Sequence, residues 1–127
     1  MVPMNLVYVF VGGGLGAVLR YAVSLCNMGG GHKFLSTFAV NLIGSFLIGV
    51  LWGFLDSFGS ARNWSLFAIT GLLGGFTTFS SFALETVTLM SGGKVAMACV
   101  YALLSLAGGM AFCFIGLWII NALRQLI

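Results

Sequence analysis

Apolar residues run almost unbroken through four stretches of the chain. They extend from about Asn5 to Leu25, Phe34 to Leu55, Trp64 to Met90 and Val95 to Leu123. Each is long enough for a transmembrane helix, which takes ~20 residues. The separators, Cys26–Lys33, Asp56–Asn63 and Ser91–Lys94, are short and polar or glycine-rich. This pattern predicts an all-α integral membrane protein: four transmembrane helices forming one domain across residues 1–127. The first run has no basic flank before it and no small-residue cleavage site after it, so it reads as a retained span rather than a signal peptide. Within the runs, small and polar residues recur every four positions and so share helix faces. Gly12, Gly16 and Arg20 form one such stripe, and Thr37, Asn41, Ser45, Gly49 and Gly53 a second. Tyr101, Ser105 and Gly109 form a third, with Gly116 two turns on.

Composition strengthens the membrane reading and removes several alternatives. Of 127 residues, 61% are hydrophobic and 6% charged, with a mean hydropathy of +1.16. A soluble domain carries roughly 25% charged residues, so this chain cannot present a water-compatible surface. Four spans also leave no room for a soluble catalytic domain. A net charge of +3 is too small and dispersed for a nucleic-acid surface. Cys26, Cys99 and Cys113 form no CxxC pair and read as small buried hydrophobes. His32 follows Gly29-Gly30-Gly31 and reads as an exposed loop imidazole, since a metal site needs several convergent ligands. Neither a Ser-His-Asp set nor a pair of intramembrane carboxylates is present, which excludes ordinary hydrolytic chemistry. Nineteen glycines against one proline point to helices packed backbone to backbone.

The few charges bear on orientation. With the N-terminus inside, Arg62 and Arg124 face the cytoplasm, while Arg20, Lys33 and Lys94 face out. Flipping the chain exchanges two positive charges for three, so the positive-inside rule barely discriminates. The chain is therefore a candidate for dual topology, pairing with an inverted copy of itself; a weak single bias is the alternative. Transporters often place inverted repeats within one chain, and here the same symmetry would arise between two. Four helices fill their own core, so any ion path would form between subunits.

The third run is the most unusual. It contains Gly74-Gly75-Phe76-Thr77-Thr78-Phe79-Ser80-Ser81-Phe82. Adjacent glycines followed by β-branched threonines make a poor continuous helix, which predicts a break in mid-span. Backbone groups freed at that depth need protein, water or an ion to satisfy them, and broken helices are where transporters coordinate ions. In a regular helix Thr77, Ser81, Glu85 and Thr88 would share one face, with Phe79 and Phe82 on another. Asn41 would either glue helices together or offer a donor to a pathway. The fourth run would complete a hydroxyl-lined path or form only a packing seam. Arg20 and Glu85 are the two charges inside runs, and Arg20 is long enough to snorkel.

Gly12-Gly13-Gly14-Leu15-Gly16-Ala17 with Arg20-Tyr21, Asn41-Leu42-Ile43-Gly44, and the Gly74–Phe82 string followed by Glu85 together resemble the CrcB/Fluc family of fluoride channels. The resemblance spans essentially the whole chain, and the third string is its most specific part. It implies an antiparallel, dual-topology homodimer with two fluoride pores, multi-pass in the cell inner membrane, exporting fluoride to limit its toxicity. It further implies a structural sodium ion on the dimer axis, held by the backbone carbonyls of Gly74 and Thr77. By the same resemblance Phe79 and Phe82 are the pore phenylalanines and Asn41 the pore asparagine. Ser81, Tyr101 and Ser105 are the track hydroxyls, Glu85 the acidic track residue and Arg20 the vestibule arginine. Phe76 and Ser81 stand where relatives often carry Leu and Thr.

The chemistry suits such an ion. Fluoride is small and strongly hydrated, and conduction needs binding weak enough to let it leave. Phenyl edges carry partial positive charge, and amides and hydroxyls donate moderate hydrogen bonds. The competing class is a small dual-topology proton-coupled cation or drug exporter. Such exporters place a carboxylate in their first helix, whereas here the only in-span acid is Glu85 in the third. A non-transporting packing subunit would leave the broken helix and the polar stripes without a role.

Overall fold

The computed structural model describes residues 2–26, 32–59 and 61–127. Among these every regular element is a helix, with no strand. Helix α1 covers Val2–Cys26 and α2 covers Phe34–Leu55. The third span is composite. A short turn, α3 (Arg62–Trp64), leads into a π-helical segment, Ser65–Leu73, and then α4 (Gly74–Phe76). Helical backbone stops there and resumes at α5 (Phe79–Ser91). Helix α6 covers Val95–Leu126. Four helical stretches are thus long and apolar enough to cross a membrane: Pro3–Cys26, Phe34–Leu55, Arg62–Ser91 and Val95–Leu126. The glycines Gly29–Gly31 and the connector residue Ser60 lie outside the described residues.

Burial is inverted relative to a soluble bundle. Phe10, Phe79 and Leu126 are about four-fifths exposed, while the tightly buried side chains are few: Val40, Leu73, Phe76, Ala98, Tyr101 and Thr37. Large apolar side chains turned outward are stable only against lipid. The cysteines follow the same rule, which corrects the expectation that all three are buried. They are free thiols, but Cys26 and Cys99 are exposed and only Cys113 is half-buried. In an apolar solvent a small hydrophobe gains little by facing inward.

Glycines bring the backbones together. Gly12 and Gly16 of α1 face the π-helical segment and α4 so closely that an added Cβ at Gly12 would lie 2.9 Å from Leu72 N. One at Gly16 would overlap the Leu72 carbonyl oxygen. From the other side, a Cβ at Gly71 would lie 3.0 Å from the Gly12 Cα. Gly49 and Gly116 do the same between α2 and α6. At the end of these two helices the Arg124 guanidinium donates to the Gly53 carbonyl and the Ser57 hydroxyl. A cation at a helix C-terminus is favourable because the last carbonyls there lack helical donors.

Candidate functional site

The site grows out of the gap between α4 and α5. Thr77 and Thr78 have extended backbones (φ −85°, ψ 155° and φ −148°, ψ 117°), whereas the two glycines before them stay helical. The β-branched threonines lose rotamer freedom in a helix and give it up at lower cost than most residues. Gly44 of α2 makes room for the Thr77 methyl, since a Cβ there would overlap it. Interrupting a helix orphans carbonyls on one side and N–H groups on the other.

The freed groups have definite partners. In an unbroken helix Thr78 N–H would bond the Gly74 carbonyl; here it donates to Asn41 Oδ1 at 2.8 Å. Asn41 Nδ2 returns a bond to the Thr78 carbonyl at 3.0 Å. The amide thus clamps one residue's N–H and C=O together. Ser81 N–H, which would bond the Thr77 carbonyl, donates to the Thr78 hydroxyl at 3.2 Å, making Thr78 the N-cap of α5. The Thr78 hydroxyl also donates to Ser81 Oγ at 3.2 Å. The Gly75 carbonyl accepts from Arg20 Nε at 3.1 Å. Thr77 N–H and its hydroxyl both donate to Leu73 O, at 3.0 and 2.9 Å.

A recess of about 290 Å³ opens beside this joint, lined by Asn41, Ser45, Gly74, Thr77, Thr78 and Phe79 among others. Gly74 is exposed on it. Among the described residues no cluster of His, Cys, Asp or Glu could hold a metal ion. The Gly74 and Thr77 carbonyls are a different kind of donor. The N–H groups that would have occupied them are bonded elsewhere, which is the donor chemistry a hard cation such as sodium takes.

Above the joint lies a polar and aromatic cluster. The Glu85 carboxyl accepts from the Thr37 hydroxyl at 2.7 Å and the Tyr101 hydroxyl at 2.8 Å. The Phe79 and Phe82 rings sit 5.7 Å apart with a 48° tilt, and Phe82 lies 5.3 Å from the Tyr101 ring. Phe79 is exposed; Phe82 is half-buried. One turn beyond Tyr101, the Ser105 hydroxyl is the one buried side-chain polar atom among the described residues without a hydrogen-bond partner.

The structure thus brings Asn41, Gly74, Thr77 and Ser81 to the joint, and Glu85, Tyr101, Phe82 and Phe79 to the cluster beside it. Ser105 stands further along α6. Arg20 reaches the third span's backbone rather than an end of its own helix. The hydroxyls do not form one track on α5. Thr77 lies outside that helix, and the Thr88 hydroxyl donates to Leu84 O at 2.7 Å. Sequence reasoning gave no site role to Thr37, Gly75 or Thr78. Thr37 carried a signal, standing one turn before Asn41 on the same stripe.

Known proteins resemble the chain over most of its length. A family model described as "CrcB-like protein, Camphor Resistance (CrcB)" matches residues 7–117. The chain is 43% identical over 123 residues to "Fluoride-specific ion channel FluC 2" of Nitrobacter hamburgensis, covering 94% of this chain and 99% of that protein. It is 46% identical over 110 residues to "Fluoride-specific ion channel FluC" of Methylobacterium nodulans, covering 85% and 89%. It is 39% identical over 119 residues to "Fluoride-specific ion channel FluC 1" of Yersinia pestis, covering 92% and 94%.

Proposed function

The chain belongs to the CrcB-like family, and from that premise we propose that it is a passive fluoride-selective channel that lets fluoride leave the cell. It is a multi-pass membrane protein. The observation that carries the site reading is the Phe79–Phe82 ring pair, 5.7 Å apart and packed on Tyr101, beside an Asn41 amide fixed on the Thr78 backbone. Arg20 is bonded to the Gly75 carbonyl.

In this reading an anion sheds water against groups that each hold it weakly. The Ser105 hydroxyl, buried without a partner, supports a role as donor to a passing ion, because such a group is costly unless something pairs with it. Asn41 keeps one Nδ2 hydrogen beyond the bond to Thr78. Phe79 and Phe82 offer positive ring edges without a full charge, which lets the ion bind and leave. Ser81 extends the hydroxyl lining, while Tyr101, whose hydroxyl donates to Glu85, packs its ring against Phe82. Glu85 occupies itself with the Thr37 and Tyr101 hydroxyls, so it orients donors rather than facing the anion alone. Arg20, held against the Gly75 carbonyl, is the vestibule cation of this reading and draws anions toward the joint.

The working unit is an antiparallel homodimer of dual topology with two pores, embedded in the inner membrane. The partner copy covers the recess that Gly74 and Thr77 line. Their carbonyls would hold a structural sodium ion, which would supply positive charge to offset the anion's desolvation. The proton-coupled exporter reading is not favoured. Its signature is a carboxylate in the first helix, and Glu85 lies in the third span with both oxygens taken by hydroxyl donors.

A bacterial strain lacking its own fluoride export tests the function. Expression of this chain is expected to restore growth on fluoride, and Phe82→Ile to abolish the rescue at equal membrane abundance. Failure of the wild-type chain to restore growth, at an abundance verified by immunoblot, contradicts the proposal.

A further inference from the structure

The joint between α4 and α5 poses a question of causation. Helix hydrogen bonds are cooperative, and nothing in the backbone of Thr77 or Thr78 forbids a helical conformation. Something must keep Thr78 N–H from the Gly74 carbonyl and Ser81 N–H from the Thr77 carbonyl. Each N–H has one captor. Asn41 Oδ1 takes that of Thr78 at 2.8 Å and adds a return bond at 3.0 Å. The Thr78 hydroxyl takes that of Ser81 at 3.2 Å. A third carbonyl of the same turn, that of Gly75, is occupied by Arg20. The two captors divert the N–H groups that would otherwise occupy the Gly74 and Thr77 carbonyls.

We propose that Asn41 and Thr78 are positioning residues that hold the third span open, each diverting one N–H so that the Gly74 and Thr77 carbonyls stay free for a cation. This rests on the reading of those carbonyls as a sodium site. Asn41 then acts on the cation through Thr78, in addition to any contact it makes with the anion. An apolar residue at position 41 frees Thr78 N–H to return to the Gly74 carbonyl, and the helix closes over the donor. A side chain without a hydroxyl at position 78 does the same to the Thr77 carbonyl.

The sequence provides a selective reporter. Thr77–Thr78 is its only Thr–Thr pair, so protein grown with carbonyl-13C, 15N threonine gives one nitrogen–carbonyl cross-peak by solid-state NMR. That peak reads the Thr78 nitrogen and the Thr77 carbonyl together in proteoliposomes. In wild type the carbonyl shift is expected to move when sodium replaces N-methylglucamine. In Asn41→Leu the nitrogen shift is expected to move to a helical value, with half-saturation by sodium weakened by about tenfold or more, the scale of one lost hydrogen bond. Asn41→Asp keeps an acceptor for Thr78 N–H and is expected to keep the wild-type nitrogen shift. Thr78 is tested by melting the purified protein in each cation: Thr78→Val is expected to lose the sodium-dependent rise in melting temperature and Thr78→Ser to keep it. An unmoved nitrogen shift in Asn41→Leu, or a wild-type sodium response in Thr78→Val, overturns the proposal. If Asn41→Leu does not fold, Thr78→Val and Thr78→Ser decide it. If even the wild-type peak ignores sodium, the sodium reading falls; the nitrogen shift in Asn41→Leu still judges the clamp, moved in its favour and unmoved against it.

Discussion

Helix α2 carries one four-residue stripe, and its two ends work by different physics. The later end, Gly49 and Gly53, is a close-packed seam against α6, tied at its edge by Arg124 donating to the Gly53 carbonyl. A Cβ at Gly49 would lie 3.0 Å from both the Cys113 carbonyl carbon and Leu117 N. The earlier end, Thr37 and Asn41, reaches α5 and the α4–α5 joint through hydrogen bonds to Glu85 and Thr78. In lipid, helices gain nothing by hiding apolar area from each other, so they associate by close packing or by polar bonds. This helix uses both devices in succession. The glycine end fixes where α6 stands; the polar end fixes where backbone and side-chain donors stand. Volume is therefore the sensitive variable at one end and hydrogen-bond chemistry at the other.

The sharpest way to break this contrast is to add volume to the seam. Gly49→Leu is expected to cost about 3 kcal/mol or more and to leave little monodisperse protein in gel filtration, whatever the condition of the polar end. A well-folded, fully active Gly49→Leu would remove the distinction between the two ends.

Next in size are changes that spare the fold and strike conduction. Phe79→Ile and Phe82→Ile keep the apolar volume but remove the ring edges. Fluoride release is expected to fall at least about tenfold, or ~1.4 kcal/mol in the barrier, with the elution profile unchanged. Wild-type flux in both would refute the phenyl role.

A smaller effect is expected at the carboxyl. Glu85→Gln leaves one of the two hydroxyl donors, Thr37 or Tyr101, facing an amide NH2 group. A loss of about 1 kcal/mol is expected, read as a lower melting temperature, and combining it with Thr37→Val should cost less than the sum. Strict additivity would show that the pair is not coupled.

The smallest structural effect is expected at Ser105. Its hydroxyl is buried and unpartnered, so Ser105→Ala should leave stability unchanged or raise it by up to about 1 kcal/mol. Fluoride flux should nevertheless fall. A drop in stability without a drop in flux would assign the hydroxyl to packing instead.

Much of this was readable in the residue pattern. Unbroken apolar runs located four spans within a few residues, because lipid leaves a chain few alternatives. Four-residue spacing put Gly12, Gly16 and Arg20 on one face, and all three meet the third span; it also put Thr37, Asn41, Gly49 and Gly53 on one face, which the structure divides between α6 and the α4–α5 region. Spacing reveals a shared face but not the partner on it. Nothing local in the sequence says that Asn41 meets the Thr78 backbone or that Arg20 meets the Gly75 carbonyl. Both contacts are set by tertiary registration across some 37 and 55 positions of chain. The π-helical turn of Ser65–Leu73 was likewise unreadable, since its apolar content fits an α-helix equally well. The expected hydroxyl track on α5 assumed one regular helix through Thr77, and the extended backbone of Thr77 and Thr78 removes that regularity.

The most direct test of the central claim is ion release from proteoliposomes loaded with fluoride, chloride or a drug cation. Voltage is clamped by a potassium gradient and ionophore, and pH is equal on both sides. The account predicts rapid electrogenic fluoride release with chloride and the drug cation retained. Chloride leaving as fast as fluoride, or fluoride release that requires a proton gradient, would contradict it.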